Sequence, residues 1–100
     1  MSVVVIGRVQ CDPQKLVGLF ASRKDVFERV SEEAKGRGAI HHRFLLGDGE
    51  FVILDEWDEA ESFESFFHGN AEIPALMQEA GVQGPPVIEI YEAVASPDLF

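Results

Sequence analysis

Residues 39–57 form the part of this sequence that most restricts the fold. Two runs of strand-forming residues, 39–46 and 51–57, flank a Gly-Asp-Gly-Glu segment at 47–50. An Asp-Gly pair between two such runs is a strong signal for a tight β-hairpin. The sequence therefore predicts an antiparallel pair of strands joined by this turn.

The segments before the hairpin predict one strand and one long helical region. Residues 3–10 are rich in β-branched side chains, which favour a strand. Asp12 and Pro13 supply an N-cap and a first-turn proline. Apolar residues then recur at helical spacing as far as Ala34, which predicts a helix that runs to Lys35. Polar residues at 22–24 interrupt the apolar stripe, so we expect a bend there, and a glycine-rich segment ends the helix.

The segments after the hairpin predict two helices and a final strand. Asp58 precedes Glu61 by three residues, which is the capping-box pattern of a helix start, and this helix ends near residues 68–70. A short helix follows over 73–80 and the last strand over 87–94. The order is therefore β-α-β-β-α-β with the second helical region split. This is the ferredoxin-like arrangement, an α+β fold with the helices on one face of a four-stranded antiparallel sheet.

The uncovered face of that sheet predicts a dimer. A strand whose second face meets water should alternate between apolar and polar residues. The runs 3–6 and 52–54 are apolar on both faces instead. A bare apolar face would be a large sticky patch, so we expect a homodimer that packs sheet against sheet, forming a dimeric α/β barrel.

Composition argues against several classes of function. The 18 acidic residues against 8 basic ones disfavour binding to nucleic acid or to an anionic membrane. The single cysteine, Cys11, forms no internal disulfide and is expected to be a small apolar filler. The apolar run 1–6 is too short for a signal peptide. We expect a cytoplasmic protein with one domain over 1–95 and a tail over 96–100.

The register of the hairpin decides which polar groups meet across the strands. With a two-residue turn, His42 lies opposite Asp55. A three-residue turn places His41 opposite Asp55 instead. A histidine beside a carboxylate is a candidate general base, because the carboxylate fixes the tautomer of the ring. The alternative is a structural pair that only links the two strands.

Neither a metal site nor a common cofactor motif is predicted. His41 and His42 point to opposite faces of one strand, so they cannot bind one ion together. The sequence has no glycine-rich phosphate loop, dinucleotide fingerprint or nucleophile elbow. Some of the eight phenylalanines could line a pocket for an aromatic ligand, although core packing is the simpler explanation.

The whole pattern resembles the antibiotic biosynthesis monooxygenase-like family of dimeric α/β barrels. The resemblance covers nearly the whole chain and depends on the first strand, on Gly38 at the entry to the second strand and on Asp55-Glu56-Trp57 closing the third. The acidic-capped helix that begins over 58–63 and is followed by His68 completes it. The resemblance implies a pocket between the sheet and the helices, near Trp57 and His68.

Three functions remain open at this point. The first is a cofactor-independent monooxygenase of a small aromatic or quinol-like substrate, with His68, His42 and Asp55 as catalytic candidates. The substrate-binding candidates are then Trp57, Phe44, Phe63 and Phe67. The alternative for Trp57 is packing in the core, and the alternative for His68 is a favourable position at a helix C-terminus. The second is a non-catalytic binding or structural dimer. The third is a haem-binding protein with His68 as the axial ligand; haem-degrading members carry an asparagine on the first strand, and this chain has none there.

Overall fold

A computed structural model describes all 100 residues and contains four strands and four helices. In chain order they are β1 (Val3–Gln10), α1 (Pro13–Ser22), α2 (Lys24–Arg37), β2 (Ala39–Leu46), β3 (Glu50–Trp57), α3 (Ala60–Gly69), α4 (Glu72–Glu79) and β4 (Gln83–Glu92). The sheet has the strand order β2-β3-β1-β4, and every neighbouring pair is antiparallel. The predicted α+β, ferredoxin-like fold is confirmed. None of the helices has the length and hydropathy needed to cross a bilayer.

The β2–β3 hairpin has the register that a two-residue turn predicts. The Gly47 amide donates to the Glu50 carbonyl at 2.9 Å, and Gly49 adopts a positive φ of 68° inside the turn. His42 consequently lies opposite Asp55. The alternative register, which a three-residue turn would produce, is excluded.

Gly38 closes the junction between α2 and β2. Its φ of 120° lies in the region that favours glycine, and a Cβ at this position would overlap the Asp58 carboxylate. The Asp58 amide donates to the Gly38 carbonyl at 3.0 Å. This close approach holds the start of β2 against the end of β3.

The first helical region is interrupted where its polar residues predict a bend. α1 ends at Ser22 and α2 begins at Lys24, with Arg23 between them in a non-helical conformation. The Arg23 guanidinium pairs with the Glu79 carboxylate at 2.8 Å, which joins the break to the end of α4. α2 then continues to Arg37, two residues beyond the predicted end.

The prediction for the start of the last strand was wrong. β4 begins at Gln83 rather than Val87 and ends at Glu92, although it contains Pro85 and Pro86, which cannot donate to a strand ladder. Its pairing with β1 shifts register at this end. Both prolines therefore lie in the irregular part of an edge strand, where proline is tolerated.

The core lies between the sheet and the helices as two clusters of buried side chains. One consists of Val3, Val5, Trp57, Phe63 and Phe66, and the other of Val9, Leu16, Phe51 and Ala80. Trp57 and Phe51 are fully buried and each anchors one cluster. On β1, Gly7 lies between Val5 of the first cluster and Val9 of the second. Since glycine has no side chain, no apolar group at this position connects the two clusters.

The opposite face of the sheet carries no helix. Ile6 and Leu54 face each other there on neighbouring strands. At one edge of the same face, the side chains of Val87 and Tyr91 are 60% and 52% exposed. The apolar residues expected on this face are present, but the Arg8–Glu89 ion pair lies beside Ile6 on the same face. The face is therefore partly apolar and partly charged.

Candidate functional site

A cavity of about 390 Å³ lies between the sheet and the helices. Of its 25 lining residues, 19 are hydrophobic. Apart from Gly7, the remaining lining residues are Ser31, Lys35, His41, His42 and Asp55. A largely apolar cavity of this size with a few polar groups is the usual form of a small-molecule site.

The most distinctive polar feature of the cavity is a histidine–aspartate pair. The hairpin register places His42 of β2 opposite Asp55 of β3, and His42 Nδ1 lies 2.6 Å from Asp55 Oδ1. Asp55 is only 9% exposed, whereas the His42 side chain is 46% exposed. The carboxylate is therefore held inside the protein and the imidazole lies at the boundary between protein and cavity.

Trp57 holds the second oxygen of the same carboxylate. Its indole Nε1 donates to Asp55 Oδ2 at 3.2 Å. The indole itself is fully buried and packs against Phe63 and Phe66, with ring centroids 5.8 and 5.3 Å away. Because each carboxylate oxygen has its own partner, the orientation of Asp55 is fixed from both sides.

This arrangement defines which nitrogen of His42 is free. An ionised carboxylate only accepts hydrogen bonds, so the short contact to Asp55 places the proton on Nδ1 when the ring is neutral. Nε2 then carries the lone pair and has no hydrogen-bond partner within the chain. A neutral histidine held in this way can take a proton from a ligand, and the carboxylate stabilises the imidazolium that forms.

Aromatic side chains form part of the cavity wall. The ring of Phe44 meets the ring of His42 edge to face at 4.6 Å, and it packs against Phe51 at 4.9 Å. On α3, Phe63 and Phe67 stack with their centroids 5.4 Å apart. Such surfaces favour a flat aromatic ligand through offset or edge-to-face contacts.

Gly7 is a cavity residue that the sequence analysis missed. It lies at the centre of β1 between Ile53 of β3 and Ile88 of β4, and all three residues line the cavity. A Cβ at Gly7 would lie 3.2 Å from the Ile88 Cδ1 atom. A lone glycine within a β-branched strand is a recognisable sign of a close approach by a ligand or a backbone, and that signal was present in the sequence.

The structure brings five of the seven predicted site residues together around the cavity. They are His42, Asp55, Phe44, Phe63 and Phe67. Trp57 does not line the cavity and is instead fully buried in the core, where it packs against Phe63 and Phe66. His68 does not line it either, because it lies exposed in the last turn of α3. The expectation of a pocket bordered by Trp57 and His68 is corrected accordingly.

The side chains present do not form a metal site or the expected haem site. No three His, Cys, Asp or Glu side chains are grouped to hold a metal ion. The resemblance implied His68 as the axial ligand of haem, and this side chain is exposed outside the cavity. A haem bound in the cavity through His68 therefore does not fit this chain.

Comparison with known proteins identifies similar structures but no similar sequence family. No family model matches the chain, and no curated protein matches it. A conserved protein from Methanosarcina mazei Go1 has 20% sequence identity and a TM-score of 0.65, with 91% of each chain covered. SnoaB, a cofactor-independent oxygenase from Streptomyces nogalater, has 14% identity and a TM-score of 0.62, with 98% of each chain covered.

A third structure extends the same likeness. A candidate antibiotic biosynthesis monooxygenase from Deinococcus radiodurans has 14% identity and a TM-score of 0.66, again with 98% of each chain covered. At these identities the likeness establishes the fold. The chain has the fold of the antibiotic biosynthesis monooxygenase proteins, which the sequence resemblance predicted.

Proposed function

We propose that this protein is a cofactor-independent oxygenase that oxidises a small phenolic or quinol-like substrate. The observation that carries the proposal is the His42–Asp55 pair, whose imidazole lines an apolar, partly aromatic cavity. The fold shared with SnoaB, which is named a cofactor-independent oxygenase, supports the same class of reaction.

The first step is removal of the hydroxyl proton of the substrate by His42 Nε2. Asp55 keeps Nδ1 protonated and stabilises the imidazolium, while Trp57 holds Asp55 in place. The resulting phenolate is electron-rich at the ring carbon para to its oxygen. Because the surrounding wall is largely hydrophobic, the anion is not stabilised by bulk water and is a stronger reductant.

The second step is transfer of one electron from the phenolate to O2. The substrate radical and superoxide then combine at the para carbon, and the imidazolium returns its proton to give a hydroperoxide. The O–O bond of the hydroperoxide then breaks, and the hydrogen on the para carbon leaves together with the outer oxygen as water. The inner oxygen remains on that carbon as a second carbonyl group. Phenol and O2 thus give quinone and water. One oxygen atom enters the product, the other enters water, and the substrate supplies all four electrons.

Isotope labelling tests this reaction. Purified protein without added cofactor is incubated under ¹⁸O2 with a panel of phenols and naphthols, and products are trapped at short times because quinone oxygens exchange with water. The expected result is one ¹⁸O atom in the product and O2 uptake equal to product formed. An absence of O2 uptake across the panel, or product oxygen derived from water, would contradict the proposal.

A second function, non-catalytic binding of an aromatic molecule, is favoured by the predominantly hydrophobic lining of the cavity. In that case the His42–Asp55 contact only links β2 to β3 and orients a ligand hydroxyl. The same experiment separates the two functions, since a carrier binds a phenol without consuming O2.

We also propose that the chain works as a homodimer through the uncovered sheet face. Ile6 and Leu54 lie at the centre of that face, and Val87 and Tyr91 extend it to the edge. Sedimentation equilibrium of the wild-type chain is expected to give twice the chain mass of 11.1 kDa. Ile6→Lys introduces an unpaired charge into the interface and is expected to give the single mass, whereas Glu64→Lys, at an exposed position of α3, leaves the dimer intact.

A further inference from the structure

The surface of the sheet that lines the cavity includes one position without a side chain, Gly7. On β1 the cavity-facing positions are Val5, Gly7 and Val9, and the two valines are 1% and 3% exposed. Gly7 is therefore the only position on the central strand where a ligand can approach the backbone of the sheet. The neighbouring strands place Ile53 and Ile88 on either side of it.

The register fixes where Gly7 lies relative to the histidine. Phe44, Ile53, Gly7 and Ile88 form one row across the sheet. His42 and Asp55 belong to the next row, two residues along the strands. With ~4.8 Å between strands and ~3.4 Å between residues, the Cα atoms of His42 and Gly7 lie about 12 Å apart. A ligand anchored at His42 reaches Gly7 only if it is longer than one ring.

We propose that Gly7 determines the length of substrate that the cavity accepts. Because Gly7 has no side chain, only Ile53 and Ile88 flank the cavity surface at this point of β1. The far end of an elongated aromatic substrate whose hydroxyl lies at His42 rests over these two side chains, and any side chain at position 7 raises them into its path. The inference rests on the proposed function, because that function supplies the anchoring point of the substrate. It adds a specificity-determining residue that makes no contact with the reacting hydroxyl.

A single added methyl group tests the inference. In Gly7→Ala the new Cβ lies against the flexible end of Ile88, which has to shift by a few tenths of an ångström. The fold tolerates this change, because alanine at a strand position with ordinary φ is no less compatible than glycine. The methyl group raises Ile88 into the space that a long ligand needs and leaves the surroundings of His42 unchanged.

Two phenols of different length serve as the probes. Phenol carries one ring, and 4-phenylphenol adds a second ring along the axis from the hydroxyl. Because its para carbon carries no hydrogen, 4-phenylphenol measures only the length that the cavity accepts and is not a substrate of the proposed reaction. Dissociation constants are measured by calorimetry without O2, so that no turnover occurs. Gly18→Ala is the matched control, because Gly18 lies on α1 outside the cavity with no atom within 4 Å of an added Cβ.

The expected result depends on ligand length. Gly7→Ala binds phenol as wild type does but binds 4-phenylphenol about tenfold or more weakly, the usual effect of one methyl group in a close-fitting pocket. Gly18→Ala binds both probes like wild type. Equal effects of Gly7→Ala on the two probes, or no effect on either, would overturn the role of Gly7 and leave the proposed function intact. If the wild-type protein binds neither probe, the inference is wrong, and O2 uptake across the phenol panel decides the proposed function separately.

Discussion

His42 Nδ1 and Asp55 Oδ1 lie 2.6 Å apart across the β2–β3 hairpin, and the carboxylate is buried whereas the imidazole is half exposed. Neither residue has a Lys or Arg partner. The contact is thus a pair without a cationic partner at the wall of a cavity, with Trp57 hydrogen-bonded to the carboxylate and Phe44 packed against the imidazole.

Asp55→Asn is expected to lower kcat by about 10²- to 10⁴-fold, the range of a general base. Asparagine keeps the shape and can accept from Trp57, but it removes the negative charge that holds the Nδ1 proton. The measurement is O2 uptake with a phenol that the wild-type protein oxidises. Nitrogen chemical shifts of His42 report the accompanying change of tautomer. An unchanged rate in a folded Asp55→Asn protein would remove the carboxylate from the mechanism.

Trp57→Phe is expected to disturb the site without touching the cavity. The variant keeps most of the buried ring but loses the indole donor to Asp55 Oδ2. Poorer orientation of Asp55 is expected to raise the activation free energy by about 1.4 kcal/mol, which corresponds to a tenfold lower kcat. A second tautomer of His42 is then expected in the nitrogen spectrum. Phe66→Leu is the control for the His42 spectrum, because it reduces packing on Trp57 but keeps the hydrogen bond. Its kcat is not used for comparison, since Phe66 also lines the cavity. If both variants change the His42 spectrum alike, Trp57 has only a packing role.

Gly38→Ala is expected to lower the free energy of unfolding by about 1–3 kcal/mol, the cost of a strained backbone conformation. The reason is its φ of 120° and the overlap of a Cβ with the Asp58 carboxylate. Gly36→Ala, inside α2 with no atom within 4 Å of the added Cβ, should be neutral or stabilising by up to about 1 kcal/mol. Urea denaturation of both variants measures the difference. Equal stabilities would contradict the claim that the backbone at position 38 requires glycine.

Cys11 is expected to react slowly with thiol reagents. Partial burial of the thiol and the negative charge of Asp12 both raise the pKa of Cys11, so less thiolate is present at neutral pH than in free cysteine. Asp12→Asn removes the charge but keeps an N-cap acceptor for the Gln14 amide. Alkylation with iodoacetamide near pH 7.5 should therefore be faster in this variant than in wild type. A wild-type rate above that of free cysteine would contradict the raised pKa.

The fold and much of the site could be predicted because they follow from local sequence rules. The two-residue Asp48-Gly49 turn sets the register of the hairpin, and the register alone places His42 opposite Asp55. The polar residues at 22–24 marked the break between α1 and α2. Each of these features depends on residues close together in the chain.

The sequence could not decide whether Trp57 packs in the core or borders a pocket, or whether His68 acts in a site or only lies at a helix end, because both depend on how α3 is rotated against the sheet. That rotation buries Trp57 under Phe63 and Phe66 and leaves His68 in solvent. The cavity likewise results from the distance between the sheet and the helices, which no local sequence pattern determines. Gly7 is the exception, since a glycine in the middle of a β-branched strand was visible from the start.

The most direct test is a comparison of His42→Gln with His68→Gln. Both variants replace an imidazole by an amide, but only His42 lines the cavity and pairs with Asp55. The measurement is kcat/KM for O2 uptake with the best phenol of the panel. We expect a loss of about 10²-fold or more in His42→Gln and a wild-type value in His68→Gln. A wild-type value in His42→Gln, or a comparable loss in both variants, would show that the His42–Asp55 pair is not the catalytic base.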